Sequence, residues 1–276
     1  MTLRDLPPSF SDVAVAAIDG RLADIRREHG VSIPLAIESG SRAWGFPSPD
    51  SDYDCRFVFV RPADRYLSPW QLRDVIETPL EGDLDVNGWE LGKAIKLLLN
   101  GNAVIIEWLT SPIVYGADAR FRSDFLTLAE RHASRELIGR HYLHLGDRQR
   151  RVYFGEGRRV AQKKIFYALR PAAALRWLRL HPGAAVAPMH FPTLMAECDA
   201  PPEVVAVTED LTARKAATRE LGDTALPDPI ARFIDDEFEA ARPLYEAQRV
   251  AVSDEARRDA DAFFQATVRR LDRTRV

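Results

Sequence analysis

Residues 39 to 54 read Ser-Gly-Ser-Arg-Ala-Trp-Gly-Phe-Pro-Ser-Pro-Asp-Ser-Asp-Tyr-Asp, and this stretch decides the fold. Apolar residues alternate from residue 33 to residue 37, as they do in a β-strand, so Gly40 and Ser41 lie where a strand turns into a short helix. Glycine permits the tight turn, and the backbone N–H groups and the Ser41 hydroxyl can donate hydrogen bonds to phosphate oxygens. With the charge of Arg42 close by, this half of the stretch predicts a phosphate-binding turn.

A second strand is predicted from about residue 52 to residue 60. Because side chains alternate between the two faces of a strand, Asp52 and Asp54 share one face with Arg56. The residues that alternate with them face the core, namely Tyr53, Cys55, Phe57 and Phe59. Mg²⁺ takes oxygen ligands, and a pair of carboxylates suits two ions that hold the reacting oxygens of a substrate phosphate. This strand therefore predicts a site for two Mg²⁺ ions, with Mn²⁺ as an alternative ion.

A third carboxylate is expected from a neighbouring strand, in the segment 82–88 that reads Gly-Asp-Leu-Asp-Val-Asn-Gly. Leu84 and Val86 face the core in this segment, so Asp83 and Asp85 both face the other way. Asp85 is the best candidate for a catalytic and metal-binding carboxylate. Asp83 shares its face, and the choice between the two stays open.

Each half of the 39–54 stretch is common on its own. A Gly-Ser turn often does no more than begin a helix, and an Asp-x-Asp pair often belongs to a turn. Here the two halves occur together, about ten residues apart and with a strand on each side, which favours a nucleotide site with its metal ions.

Two motifs, at residues 40–45 and 51–56, resemble those of the DNA polymerase β superfamily of nucleotidyltransferases. The closer resemblance is to a bacterial and phage branch, the predicted nucleotidyltransferases associated with RNA ligase and RNA repair. Further matching blocks are 61–62, 66–68, 88–91 with Lys93, 101–102, 107–109, 163–164 and 167–171. The resemblance is strongest from residue 30 to residue 180, and beyond it only a helical tail at 211–215 is similar.

The resemblance implies an α/β (α+β) fold, with a mixed sheet and helices followed by a mostly α-helical C-terminal domain. It also implies an enzyme that transfers a nucleoside monophosphate from a triphosphate to an acceptor hydroxyl, using Mg²⁺ held by Asp52 and Asp54. In such enzymes the helical domain closes over the nucleotide. The positions that it would contribute to phosphate, sugar or base are Lys163, Lys164 and Tyr167, and which lysine faces inward stays open.

The rest of the chain predicts two domains. An amphipathic helix is expected from Ser11 to about His29, and further helices at 90–100 and 104–109. After about Gly116 the pattern becomes helical almost throughout, with breaks at prolines and glycines. We therefore expect a catalytic domain over residues 1–115 and a helical domain over residues 116–276.

Two side chains near the motif have competing interpretations. Trp44 could stack on a base or cover the core, and packing is favoured because large aromatic residues are more often structural. Glu107 is acidic within an apolar run, so it is either a buried partner for an arginine or part of the site, and structural support for Arg42 or Arg56 is favoured.

Charge and composition constrain the partners of the chain. It has 276 residues, 38 basic and 41 acidic, and a net charge of −3, so a nucleic-acid surface must be a local patch. The best patch is a run of cations at 148–151, 158–159, 163–164 and 170, and an ordinary solvated helix face explains 148–151 equally well. Two cysteines form no disulfide framework, and the sequence contains neither a signal peptide pattern nor a membrane-length apolar run. These features predict a cytoplasmic protein without a membrane partner.

Three acceptors or roles follow from these observations. The first is an RNA 3′ end, either of tRNA or of RNA under repair, with a nucleoside triphosphate such as ATP as donor. The second is a hydroxyl of a protein partner, which the enzyme would nucleotidylate, for example by AMPylation. The third is a non-catalytic module that binds RNA or nucleotide, and the complete set of Asp52, Asp54 and Asp85 disfavours it.

Overall fold

The computed structural model describes residues 2–154, 159–218, 222–247 and 250–273. At its centre is a mixed sheet of six strands. They are β1 (Thr2–Asp5), β2 (Ser32–Glu38), β3 (Tyr53–Val60), β4 (Val75–Glu77), β5 (Leu84–Glu90) and β6 (Val114–Asp118). Their order across the sheet is β1-β6-β2-β3-β5-β4.

The two strands with the predicted carboxylates, β3 and β5, are neighbours and run parallel, whereas the other pairs of this sheet are antiparallel. Asp54 lies directly opposite Asp85 in their register. Parallel strands bring their equivalent ends to the same edge of a sheet. The start of β3 and the start of β5 therefore place their aspartates together.

Four helices and a 3-10 helix accompany the sheet in the first half of the chain: α1 (Asp12–His29), α2 (Gly40–Trp44), η1 (Ala63–Leu67), α3 (Leu91–Leu99) and α4 (Ala103–Thr110). Helix α1 begins where the Ser11 side chain accepts a hydrogen bond from Ala14 N, and it ends at Gly30 with a φ of 58°. These bounds confirm the sequence prediction for this helix.

Strand β3 is buried on both faces, which fixes its register. Phe57 packs toward α1 against Ile18 and Leu22. Val58 belongs to the larger core on the other face, with Leu98 of α3. A shift of one residue would exchange these two sets, so the burial of β3 holds Asp54 in place at its exposed end.

In the second half of the chain, the described residues form mainly seven helices: α5 (Ala119–His132), α6 (Arg135–Tyr153), α7 (Gln162–Leu180), α8 (Phe191–Glu197), α9 (Pro202–Ala217), α10 (Asp228–Tyr245) and α11 (Asp254–Arg273). Prolines lie in the first turn of α8, α9 and α10, where a missing N–H costs nothing. A membrane span would need a longer and more apolar helix than any in the described ranges.

Several short strands differ from the sequence prediction. The strands β1 and β4 are new members of the sheet, and β7 (Arg159–Ala161) pairs with β8 (Asp223–Ala225) inside the half that was expected to be helical. Strands of three or four residues are too short to show alternation. Strand β6 crosses the predicted boundary between residues 115 and 116, so the sheet continues to Asp118. The division into two domains stays a prediction.

Candidate active site

The candidate site is a cleft of about 610 Å³ between the sheet and the helical half. Seven of the nine predicted site residues line it: Gly40, Ser41, Asp52, Asp54, Lys163, Lys164 and Tyr167. Arg42 and Asp85 are not part of the lining. We call the residues 39–54 the sheet wall of the cleft. The helical wall consists of Lys163, Lys164, Tyr167 and Arg170 of α7 with Lys215 of α9.

Gly40 and Asp54 are in contact across the sheet wall. Gly40 has a φ of 59°, a conformation that L-residues with a side chain rarely adopt. A Cβ on Gly40 would lie only 2.0 Å from Asp54 Oδ2, so the carboxylate occupies the space that a side chain would need. The backbone reinforces the contact, because Ser39 N donates to the Asp54 carbonyl oxygen at 2.9 Å.

The loop between the glycine turn and β3 is held by side chains of the turn. Ser41 Oγ donates to Ser51 Oγ at 2.9 Å, and Ser48 N donates to the same oxygen. Arg42 donates to the backbone oxygens of Ser51 and Asp52, at 2.6 and 3.0 Å, and its guanidinium lies 3.9 Å from the Tyr53 ring centroid. Arg42 therefore fixes the loop, and its contact with phosphate stays a prediction.

The surroundings of Asp52 and Asp54 disfavour the ionised forms of their carboxyl groups. Burial raises the pKa of Asp52, and the carboxylates of Asp83 and Asp85 raise it further. Burial also raises the pKa of Asp54, with Arg56 opposing this effect and Asp85 adding to it. Crowded carboxylates of this kind are relieved by a bound cation.

Arg56 links the carboxylates of β3 and β5. Its Nη2 donates to Asp54 Oδ1 at 3.0 Å and to Asp85 Oδ2 at 2.6 Å. Arg56 thus lies on the same face as the aspartates, as predicted, and its guanidinium joins Asp54 to Asp85. Asp83 precedes β5 and accepts a backbone hydrogen bond from Tyr53 N at 2.7 Å. The arrangement favours Asp85 as the neighbour of Asp54, whereas the carboxylate of Asp83 raises the pKa of Asp52.

A fully buried carboxyl group lies beneath the aspartates. Glu38 Oε1 accepts from Asp54 N at 2.9 Å, and Tyr115 donates to Oε2. Burial raises the pKa of Glu38 to about 8. Glu38 therefore holds the start of β3 through its backbone, without a carboxylate charge at neutral pH.

The donor set at the sheet wall fits a divalent cation. Asp52 and Asp54 offer carboxylate oxygens, the ligand type that Mg²⁺ prefers, and Mg²⁺ takes its remaining ligands from water and substrate phosphate. Asp54 rests on Gly40 with no side chain in between, which leaves the carboxylate at the open face of the turn. No set of three or more His, Cys, Asp or Glu in the described part of the chain is gathered as a metal site by itself.

The helical wall presents cations and aromatic rings to these carboxylates. Lys164 Nζ lies 4.4 Å from the centroid of Tyr153 and 4.6 Å from that of Tyr167. A hydrogen bond with Ser48 lowers the pKa of Asp50, and the charge of Lys163 adds to this effect. Both lysines line the cleft, so the structure leaves the choice between them open.

Lys215 is a cleft residue that the sequence analysis did not propose. It is 5% exposed, and its ammonium group donates to the Phe46 carbonyl oxygen at 2.5 Å. Burial lowers its pKa to about 8, while Asp50 opposes this effect and Lys163 adds to it. A sequence signal does exist, because Lys215 continues the buried stripe of α9 that includes Val204, Thr208 and Leu211.

Glu107 does not support Arg42 or Arg56, so that prediction is wrong. Its Oε1 accepts from Arg170 Nη2 at 2.6 Å, and its Oε2 accepts from Trp44 Nε1 at 3.3 Å. Arg170 also lies 4.3 Å from the Trp44 ring centroid. The partner of Glu107 is thus Arg170 of α7, and because the two residues are distant in sequence, their contact could not be predicted from the order of the chain. The pair ties α4 to the helical wall and holds Trp44 between them.

The cationic run at 148–151 lies on the same helix as part of the cleft lining but faces elsewhere. Gln149 and Tyr153 of α6 line the cleft. Arg148 and Arg151 line a separate groove between α6 and α10, where Arg150 pairs with Asp235. Residue 158 and the side chain of residue 159 lie outside what the structure describes.

The fold and this site define a class of protein, the DNA polymerase β-like nucleotidyltransferases, in which a glycine turn faces paired aspartates. The model of the RlaP family, described as the RNA repair pathway DNA polymerase beta family, matches residues 15–266, and the chain belongs to this family. It is also 42% identical over 218 residues to the uncharacterized protein YcgL of Bacillus subtilis (strain 168). That match covers 79% of this chain and 83% of YcgL. Both comparisons confirm the resemblance inferred from the sequence.

Proposed function

We propose that the cleft transfers a nucleoside monophosphate from a nucleoside triphosphate to an acceptor hydroxyl, with an RNA 3′ end as the acceptor. One observation carries this proposal: the carboxylates of the sheet wall and the cations of the helical wall line the same cleft of about 610 Å³. The volume suits a nucleotide, since small-molecule sites generally measure about 300–1,000 Å³. A triphosphate needs cations along its length and carboxylates for its metal ions. The helical wall provides the cations, and the sheet wall provides the carboxylates.

Binding would use the helical wall and the glycine turn. Lys163 and Lys215 neutralise the β- and γ-phosphates, and both lie near enough to Asp50 for their charges to lower the pKa of its carboxyl group. The N–H groups of the turn and Ser41 donate to the same phosphates. Tyr167 lies edge-on to Trp44, with ring centroids 6.2 Å apart, so the rings provide an apolar surface for the base or sugar.

The chemistry would take place at the sheet wall. Asp52 and Asp54 would hold Mg²⁺, which when bound supplies positive charge to the attacking and leaving oxygens. Arg56 fixes Asp54 relative to Asp85. The acceptor oxygen would bond to the α-phosphorus and lose its proton to a carboxylate, while the bond to the β-phosphate oxygen breaks so that pyrophosphate leaves. Asp85 is the candidate proton acceptor; it lies behind the cleft lining with Arg56 and Asn87 on its oxygens, so this role requires the acceptor to reach past them.

An RNA acceptor is supported by two observations. The family to which the chain belongs is described by an RNA repair pathway. In addition, Arg148 and Arg151 are exposed on α6, which also contributes Gln149 and Tyr153 to the cleft. A nucleic-acid strand whose 3′ end enters the cleft would reach these arginines only by continuing round α6 into the neighbouring groove, where each neutralised phosphate would add salt-dependent affinity.

The test offers each α-labelled triphosphate with Mg²⁺ to the protein, with RNA and with a protein extract as separate acceptors. We expect label in RNA with the native protein and none with Asp52→Asn. Asp236→Asn is the matched control, since Asp236 is an exposed aspartate on α10 outside the cleft. Label in protein would replace RNA by a protein acceptor, and the absence of label from both would contradict nucleotidyl transfer.

A further inference from the structure

A second groove, which we call the distal groove, has a volume of about 640 Å³. Its cationic and aromatic lining consists of Arg61, Arg65, Trp70, Arg73, Lys93 and Lys96. It lies between η1, the loop that leads to the edge strand β4, and helix α3. None of the residues that line it also lines the cleft.

The distal groove is at the opposite end of β3 from the aspartates. Asp52 and Asp54 lie at the start of this strand, and Arg61 follows its last residue, Val60. A strand rises about 3.3 Å per residue, so Asp54 and Arg61 are about 23 Å apart along β3. At about 3.4 Å per stacked nucleotide, this separation corresponds to about seven nucleotides.

The lining of the distal groove carries more cations than carboxylates, with Arg73 paired to Glu77 outside the lining. Five cations line it, against the two carboxylates of Asp74 and Glu90, and both carboxylates are engaged. Lys93 Nζ pairs with Asp74 at 3.0 Å, while Glu90 accepts from Tyr66 and from Lys93 N. Arg65 and Lys96 have no carboxylate within ion-pair distance among residues 2–154, 159–218, 222–247 and 250–273. These two charges are available to an anionic partner.

An exposed indole lies in this positive groove. Trp70 is 79% exposed, so its ring contributes little to the core. Leu72 lines the same groove and is 38% exposed, and exposed apolar side chains that lie together mark interaction sites. Flat aromatic rings within a cationic groove are the combination that binds single-stranded nucleic acids, because bases stack on the rings while cations follow the phosphates.

We propose that the distal groove binds single-stranded nucleic acid, with a base stacked on Trp70 and phosphates on Arg65 and Lys96. A protein partner is less favoured, because the excess of cations over carboxylates matches a polyanion. The groove would hold the strand several nucleotides from the end that reacts in the cleft. Binding in the groove does not depend on chemistry in the cleft.

The test measures fluorescence anisotropy of a labelled oligouridylate of about 12 nucleotides, without triphosphate and with chelator, over about 0.05–0.2 M salt. Trp70→Ala and the double variant Arg65→Glu/Lys96→Glu should each weaken binding by about tenfold or more. The double variant should also reduce the salt slope by about 1.4, the value for two cations on a single strand. A matching oligodeoxythymidylate shows whether the groove distinguishes RNA from DNA, and binding of either strand through the groove supports the proposal.

Two controls make the result specific. Arg232→Glu/Arg257→Glu reverses two exposed charges on α10 and α11, outside both sites, and should leave the affinity within about twofold of native. Trp70→Phe retains a ring and should keep most of the affinity that Trp70→Ala loses. Because the affinity is measured without triphosphate or metal, a protein that fails to transfer label in the cleft can still bind the strand in the distal groove, which separates this proposal from the function of the cleft. Unchanged affinity in Trp70→Ala and in the double variant would overturn the proposal and leave the groove to a different partner.

Discussion

The two walls of the cleft differ in charge and in how the sequence encodes them. The sheet wall is a single stretch of sixteen residues, 39–54, and its carboxylates follow from strand alternation alone. The helical wall combines residues of α7 and α9, and its Lys163 and Lys215 are 52 positions apart in the sequence. The carboxylates are therefore positioned by local geometry, whereas the cations are positioned by tertiary packing. Changes in the two walls should therefore have different consequences.

The largest effect is expected from the sheet wall. Asp52→Asn should reduce nucleotidyl transfer on the order of 10³-fold, because a metal-binding carboxylate acts where charge develops in the transition state. Thermal stability should not fall, since burial and neighbouring carboxylates already raise the pKa of Asp52. Label transfer and thermal melting measure the two quantities, with Asp236→Asn as the control. A variant that stays active would refute the role of this residue.

The next effect tests the connection between the walls. Glu107→Gln should destabilise the protein by about 3 kcal/mol, because it leaves the buried charge of Arg170 without its partner. Denaturant unfolding gives the free energy, and Glu239→Gln, at an exposed position of α10, should change it by less than about 0.5 kcal/mol. Equal stability of the two variants would mean that the Glu107–Arg170 pair does not hold the helical wall in place.

Gly40 provides a test of local geometry in the sheet wall. Gly40→Ala should lower transfer by about a hundredfold, because the new methyl group displaces the Asp54 carboxylate. Gly82→Ala is the matched control, since Gly82 has a similar φ of 58° and open space around its Cα. Both variants should lose about 1–2 kcal/mol of stability to backbone strain, and only Gly40→Ala should lose activity. Equal losses of activity would rule out the contact with Asp54 as the cause.

Glu38 predicts a pH dependence of stability in the sheet wall. Its pKa is raised to about 8, so the folded state keeps a proton that the unfolded state releases at its ordinary, lower pKa. This contribution to stability is complete below the unfolded pKa and is lost as pH rises through about 8. Between about pH 6 and pH 9 the native protein should lose about 2 kcal/mol more than Glu38→Gln. Parallel pH slopes in unfolding experiments would show that Glu38 is not the group that titrates.

The smallest effect is expected from the helical wall. Lys215→Met should weaken triphosphate binding by about tenfold at neutral pH, as expected for one charged contact with phosphate. The pKa of Lys215 is about 8, so the native protein should also lose affinity above that pH, and the variant should not. Calorimetric titrations at about pH 7 and pH 9 measure the difference, with the exposed neighbour Arg214→Met as the control. The same pH dependence in Lys215→Met would assign the titration to another group.

The contrast between the walls also explains what could be predicted from the sequence. Strands β2, β3 and β5 follow from period-two patterns and the motif spacing, whereas the register that sets Asp54 opposite Asp85 comes from the parallel pairing of β3 with β5. Lys163, Lys164 and Tyr167 came from the resemblance to a family, and the structure places all three in the cleft.

The parts that sequence reasoning missed depend on contacts between distant segments. The partner of Glu107 is Arg170, sixty-three residues further along the chain. Lys215 continues the buried stripe of α9, but only the packing of α9 against the rest of the chain shows that this stripe ends at the cleft. The short strands β7 and β8 pair with each other across a similar separation, and three residues are too few to show a strand period.

The most direct test of the central claim is whether metal and triphosphate bind together between the two walls. Calorimetry with a non-hydrolysable triphosphate analogue, with and without Mg²⁺, measures this linkage in the native protein and in Asp52→Asn. We predict that Mg²⁺ tightens binding by about tenfold or more in the native protein and has little effect in the variant. Equal affinity with and without Mg²⁺ in the native protein would contradict the proposed joint site.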